Sequence, residues 1–285
     1  MTPCILIRNT AKRFRDAGIP DPENDSALLL SFLCGKPPLA LRLDTDTELC
    51  PETVDTYLSL ATRRMKREPL QYIVGEAPFL GRSFQVDSRV LIPRPETEEL
   101  CQWALDTLPE NSPFSLLDLC CGSGCIGLTV AAERPFAAVT LADISAEALA
   151  AASCNASRFH LRVAMHQGDL TEGLKNQSFD CIVSNPPYIP SEDCSLLQPE
   201  VLLEPRIALD GGMDGLAFYR RIAVEAARVL KKHGLLFLEV GYGESEDVSS
   251  LLSSAGFSEI TVRNDFSGIP RMLMAVLPAR RKTDV

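Results

Sequence analysis

From Arg94 onward the chain alternates short apolar, strand-like runs with helical ones, and this rhythm narrows the fold more than any other feature. Strand-like runs fall at 115–119, 139–143, 162–166, 179–184 and 235–240, with helical patterning at 126–133, 146–158 and 216–232 between them. Strands joined through helices pair in parallel, because a parallel return needs a crossover of a dozen or more residues. Such a sheet is covered by helices. The end of the chain breaks the rhythm: 259–262 and 272–277 are separated by a short turn-rich segment without a helix, which predicts an antiparallel pair. Residues 278–285 read as a frayed tail. The expected fold class is therefore α/β, a mostly parallel seven-stranded sheet with an antiparallel last strand.

Residues 1–76 have a different texture. Val54, Tyr57, Leu58, Ala61 and Met65 share one face of a helix opened by Pro51, and 5–17 and 25–33 follow the same pattern. A small N-terminal helical domain is expected. The basic run Arg63-Arg64 and Lys66-Arg67 closes the third helix, where cations complement the helix dipole; its other reading is a docking surface for an acidic partner. Over 77–93, Phe84 and Val86, then Val90 and Ile92, alternate with polar residues around Asp87-Ser88-Arg89. This predicts a β-hairpin linker to a second domain spanning 94–285.

Composition removes several function classes. A net charge of −10 has the wrong sign for a protein that gains affinity from phosphates, so free nucleic acid is not the expected partner. No apolar run spans a bilayer and the start lacks a signal-peptide pattern, so a cytoplasmic protein with no membrane partner is expected. The ten cysteines include no CxxC pair, and His160, His166 and His233 stand in no ligand-like spacing with Cys120, Cys121 and Cys125. No metal is expected; the cysteines read as small buried apolar groups.

After the first strand of the large domain comes Asp118-Leu-Cys120-Cys121-Gly122-Ser123-Gly124-Cys-Ile-Gly127, a glycine turn directly before a helix. Its glycines permit a tight turn and close approach to a ligand, which suits dinucleotides and S-adenosylmethionine alike. Asp118 discriminates, because a carboxylate at the mouth of the loop would repel a pyrophosphate and favour a sulfonium and an ammonium group. Asp143, at the end of the next strand, is placed to accept hydrogen bonds from ribose hydroxyls. Asp169-Leu170, by the same strand-end logic, would meet the adenine with a carboxylate and an apolar wall.

The fourth strand runs into Asn185-Pro186-Pro187-Tyr188. Two prolines stiffen the backbone and remove two donors, leaving the Asn185 side-chain oxygen and the Pro186 carbonyl as acceptors for a substrate NH2 group. A base amine and a primary carboxamide both qualify. Their nitrogen is a poor nucleophile, so accepting both N–H bonds aligns it and assists it electronically. Tyr188 can pack on the planar group and exclude water.

These residues resemble the class I methyltransferases, whose fold is Rossmann-like. The wider pattern resembles the HemK/PrmC protein-(glutamine-N5) methyltransferases along nearly the whole chain. Its landmarks are Arg67 to Gly75, Phe79 to Phe84, Val90 to Glu98, the glycine loop, Asn185 to Tyr188, Glu204-Pro205, Ala208-Leu209 and Asp214 to Leu216. The resemblance implies S-adenosyl-L-methionine as cofactor, bound by Asp118, Cys120, Cys121, Gly122, Ser123, Gly124, Asp143, Asp169, Leu170 and Asn185. It implies methylation of the Gly-Gly-Gln glutamine of class 1 peptide chain release factors, with Asn185, Pro186 and Tyr188 catalytic. Substrate binding would fall to Asn185, Pro186, Pro187, Tyr188, Arg94, Glu96 and Thr97, the helical domain would recognise the release factor, and the enzyme would be a monomer. The intact Arg94-Pro-Glu96-Thr97-Glu98 run favours this over the sister enzyme that methylates a large-subunit ribosomal protein. Cys120 and Cys121 replace smaller residues common in the loop, and Glu244 stands where the family often has glutamine, a change expected to be peripheral. A nucleic-acid amino-methyltransferase, a nicotinamide-dependent oxidoreductase and a non-enzymatic interaction protein are the competing classes.

Overall fold

The computed structural model describes residues 1–174 and 178–279. Most of the tail expected at 278–285 therefore lies outside the described residues. The chain divides into two compact units, Met1–Glu76 with Gln198–Leu203, and Ala77–Leu197 with Glu204–Val285.

The first unit is helical: α1 (Pro3–Asp16), α2 (Pro22–Cys34), α3 (Pro38–Leu43), α4 (Pro51–Met65) and α5 (Leu70–Val74). Helices α1 to α4 each open on proline, whose fixed φ suits a first helical turn and whose missing N–H is no loss there. Leu6, Phe14, Leu29, Leu30, Tyr57 and Ala61 form the core, and the buried Tyr57 hydroxyl donates to the Ser26 carbonyl at 3.0 Å. The basic run does not form a free docking surface. Arg64, 5% exposed, donates from Nε to Asp25 at 2.7 Å and from Nη1 to Glu200 at 2.8 Å. Arg67 clamps Glu200 with two bonds of 2.7 and 2.6 Å, and Arg63 binds Glu68. Three of the four cations are thus neutralised by carboxylates of the same unit.

The second unit begins with a hairpin, β1 (Glu76–Phe79) and β2 (Arg82–Gln85), and continues through α6 (Pro95–Thr107), β3 (Phe114–Leu119), α7 (Cys125–Glu133), β4 (Ala137–Asp143), α8 (Ala146–Arg158), β5 (Ala164–Gln167) and β6 (Phe179–Ser184). It ends with α9 (Ala217–Val229), β7 (Leu230–Glu239), α10 (Ser245–Ser254), β8 (Ser258–Asn264) and β9 (Pro270–Val276). The sheet order is β5-β4-β3-β6-β7-β9-β8, with β9 antiparallel to both neighbours. Alternate strand residues feed the two faces. Leu116, Cys181, Val183 and Phe237 pack under α6, α7 and α8, whereas Leu117, Ile182, Leu236 and Leu238 pack under α9 and α10. Cys101, Cys121, Cys125 and Cys181 serve as small apolar groups of the first layer.

Three local expectations change. The hairpin turns at Leu80-Gly81, not at Asp87-Ser88-Arg89, because Leu80 and Gly81 both take positive φ (43° and 76°), the two-residue turn that matches strand twist. Asp87 instead closes a separate turn by accepting the Arg89 N–H at 3.0 Å, and Val90 and Ile92 are buried without forming a strand. Residues 230–232 leave the helix: Leu230 pairs with Phe179, and a bulge follows before Leu235 pairs with Cys181. Helices α6 and α10 carry no clear sequence signal, α6 because its start coincides with the Arg94 to Glu98 run and α10 because serine dominates it.

Candidate functional site

Sheet order reverses between β3 and β6, and the chain leaves these neighbours in opposite directions, opening a crevice beyond their carboxyl ends. A cavity of about 220 Å³ lies there, lined by Leu119, Cys120, Gly122, Asp143, Ile144, Leu170, Asn185, Pro187 and Phe218 among others. Of the expected cofactor residues, Cys120, Gly122, Asp143, Asp169, Leu170 and Asn185 face it; Asp118, Cys121, Ser123 and Gly124 do not.

The carboxylate geometry explains that division. Asp118, 1% exposed, lies beneath the glycine loop rather than at its mouth, and its Oδ2 accepts the Gly127 N–H at 2.8 Å. Gly127 packs so closely over it that a Cβ there would meet Asp118 at 3.0 Å and Leu141 at 2.3 Å. Burial pushes the Asp118 carboxyl up to about 7. Asp143 accepts the Gly122 N–H through Oδ2 and the Ser145 N–H through Oδ1, both at 2.9 Å, and burial raises its carboxyl also. Two amides that could cradle a pyrophosphate are therefore already directed at carboxylates. Asp143 lines the cavity and each of its oxygens can accept a second hydrogen bond, a fit for a ribose diol. Asp169 pairs with Arg221 at 3.0 Å, so an adenine amino group would share that carboxylate with a guanidinium. Cys120 occupies a left-handed position, φ 60°, and lines the cavity, whereas Cys121 is buried in the core. The described residues thus fit a nucleoside without phosphate: a carboxylate for the sugar and apolar walls from Leu119, Ile144, Leu170 and Phe218.

Asn155 was not anticipated. It is fully buried on α8, accepts the Gln85 N–H at 2.7 Å, and donates to the carbonyls of Gln85 and Ser123, both at 3.0 Å, tying hairpin to glycine loop. Its only signal is a polar residue on the otherwise apolar face of Ala148, Ala152 and Ala156.

Asn185 stands on the cavity rim. Its Nδ2 donates to Thr97 Oγ1 at 3.0 Å, and the Thr97 hydroxyl donates to Glu239 Oε2 at 2.6 Å. The Tyr188 hydroxyl lies 3.4 Å from Glu239 Oε1. Among the described residues nothing donates to Asn185 Oδ1 or to the Pro186 carbonyl. Pro187 lines the cavity, while Pro186 and Tyr188 lie beside it. Arg94 is bound to Glu204, whose second oxygen accepts the Ile92 N–H at 2.9 Å, and Glu96 sits in the first turn of α6. Glu239 is the second unanticipated residue, although it ends β7 just as Asp143 ends β4.

The chain after Tyr188 is held from behind. Ile189 exchanges bonds with Leu209 and Gly211 at 2.9 and 2.8 Å. A Cβ on Gly211 would lie 2.6 Å from Tyr188 Cα and 2.7 Å from the Gly215 carbonyl, both backbone. Gly211→Ala is expected to displace the Asn185 to Tyr188 loop, costing about 1–3 kcal/mol of stability in urea melts together with most methyl transfer; wild-type values for both would contradict this packing. Glu244 Oε2 accepts the Gly241 N–H at 2.9 Å, and its carboxyl fills the space beside Gly215, where a Cβ would sit 2.4 Å away.

With this geometry in place, comparison with known proteins is decisive. The chain is 45% identical over 267 residues to a release factor glutamine methyltransferase of Caulobacter vibrioides, covering 93% of this chain and 92% of that one. This chain belongs to the release factor glutamine methyltransferase family. The family member of Geobacter sulfurreducens is 42% identical, with 90% of each chain covered. The PrmC N-terminal domain model matches residues 6–75 of this methyltransferase, and the methyltransferase small domain model matches 101–212. Among solved structures, a Pyrococcus furiosus methyltransferase superposes with a TM-score of 0.55 at 18% identity, covering 70% of this chain and 91% of that one. A likeness at that identity is one of fold, and it supports the class I methyltransferase architecture.

Proposed function

We propose that this enzyme transfers a methyl group from S-adenosylmethionine to the side-chain amide N5 of the glutamine in the Gly-Gly-Gln loop of class 1 peptide chain release factors. The observation carrying this reading is the committed end of Asn185: with Nδ2 bound to Thr97 at 3.0 Å, the oxygen is the end left for substrate. A carboxamide NH2 has two hydrogens, and Asn185 Oδ1 with the Pro186 carbonyl offers two acceptors. Accepting both draws electron density onto the amide nitrogen and holds its lone pair in line with the donor.

When bound, the cofactor supplies an electrophilic methyl on a cationic sulfur. The chain supplies the rest. Asp143 would hold the ribose, Leu119, Leu170 and Phe218 would wall the base, and Cys120, Gly122 and Asn185 line the same cavity. Tyr188, fastened near Glu239, keeps water from the amide. The helical unit recognises the body of the release factor. On this reading the enzyme is a cytoplasmic monomer that takes neither free nucleic acid nor a membrane as partner, in keeping with a net charge of −10.

A labelled-methyl assay offering intact release factor, ribosomal protein and nucleic acid in parallel tests the proposal, with calorimetry of S-adenosylhomocysteine and a nicotinamide dinucleotide alongside. Label on the release factor and binding of S-adenosylhomocysteine alone are expected. Label confined to nucleic acid or ribosomal protein would overturn the substrate.

A further inference from the structure

An asparagine amide is symmetric in shape but not in chemistry: rotated half a turn, Asn185 would offer substrate an NH2 donor where an acceptor is required. Something must choose the end. Pro186 and Pro187 hold the backbone but say nothing about the side chain.

We infer that Thr97 and Glu239 are positioning residues that lock the Asn185 amide with its oxygen toward the substrate, and that the lock requires Glu239 to be ionised. This rests on the reading of Asn185 as the substrate acceptor. An ionised carboxylate only accepts. Thr97 has one hydroxyl proton, and at 2.6 Å it is spent on Glu239 Oε2. Thr97 Oγ1 can then only accept from Asn185, so the nitrogen must turn toward Thr97 and the oxygen away. The polarity of three groups follows from one buried charge.

That charge is enclosed by protein. Thr97 is 3% exposed and Glu239 1%. The Tyr188 hydroxyl approaches the other carboxyl oxygen, Tyr219 donates to the Glu239 carbonyl at 3.0 Å, and Glu96 from α6 and Arg271 from β9 act on the carboxyl, with the titratable side chains of Tyr219 from α9 and Cys125 from α7 also interacting with it. Burial, reinforced by Glu96, raises the carboxyl to about 7, against the pull of Thr97, Tyr188 and Arg271. A protonated Glu239 can donate to Thr97, which frees the Thr97 proton for Asn185 Oδ1 and permits the wrong end to face the substrate. The sign follows: kcat should fall as pH drops through about 7 and level off above it.

The test is kcat against pH for methylation of intact release factor, with S-adenosylhomocysteine binding measured on each variant to confirm a folded site. Thr97→Val should lower kcat on the order of 10- to 100-fold with cofactor affinity unchanged, because a misaligned acceptor costs turnover rather than cofactor binding. Thr97→Ser, which keeps the hydroxyl, should recover most of that loss. Glu239→Gln should lower kcat and abolish the limb near pH 7. Wild-type turnover in Thr97→Val, equal loss in Thr97→Ser and Thr97→Val, or a persisting acidic limb in Glu239→Gln would overturn the lock. If Asn185→Ala itself methylates at the wild-type rate, the acceptor reading beneath it fails instead.

Discussion

Asn185→Ala is expected to lower kcat for release-factor methylation about 10²- to 10³-fold while S-adenosylhomocysteine affinity changes only a few-fold. The asymmetry comes from where Asn185 stands. The cavity is lined by Arg89, Asp143, Ser145, Asp169 and Arg221 besides Asn185, with apolar walls from residues of β3, the Asp143 to Ala148 turn and α9, so one rim side chain contributes little to holding a nucleoside. The amide of a substrate, in contrast, meets an acceptor pair of which Asn185 Oδ1 is half. An equal loss in cofactor affinity and turnover would mean that Asn185 acts chiefly on the cofactor, and the measurement that separates them is calorimetry beside steady-state kinetics.

The second large effect falls on stability. Arg64→Ala should destabilise the helical unit by about 3–5 kcal/mol in urea unfolding, the cost of leaving a buried carboxylate without its partner. Asp25 is 8% exposed, and its ion-pair partner is Arg64 at 2.7 Å; Glu200 keeps Arg67 and suffers less. The same run of arginines that suggests an acidic partner is therefore an internal brace. A change below about 1 kcal/mol, the scale of an exposed pair, would show that Asp25 is solvated in solution.

Much of this was legible in residue order because periodicity reports burial. The strands β3, β4 and β6 are near-continuous apolar runs, since both of their faces are covered, and their ends mark the site: Asp143, Asp169 and Asn185 all follow from asking what stands where a strand meets the crevice. The rest was hidden for separate physical reasons. Asp118 is a strand residue whose direction depends on the packing of Gly127 above it, and no local pattern says whether a carboxylate points up at a ligand or down at a backbone amide. The turn at Leu80-Gly81 hides because leucine rarely takes positive φ. Thr97 and Glu239 lie 142 residues apart, so their union is a product of sheet order and cannot be read from spacing. Glu239 is open to the same strand-end reasoning as Asp143, but the apolar run before it reads first as core.

The central claim is that the acceptor pair at Asn185 and Pro186 serves a glutamine amide. Mass spectrometry of a class 1 release factor, purified unmethylated and incubated with this enzyme and S-adenosylmethionine, tests it most directly. The expected product carries one methyl, placed by fragmentation on the side-chain amide of the Gly-Gly-Gln glutamine and absent when Asn185→Ala replaces the wild type. A methyl on any other residue, or an unmodified release factor beside a methylated nucleic acid, would contradict it.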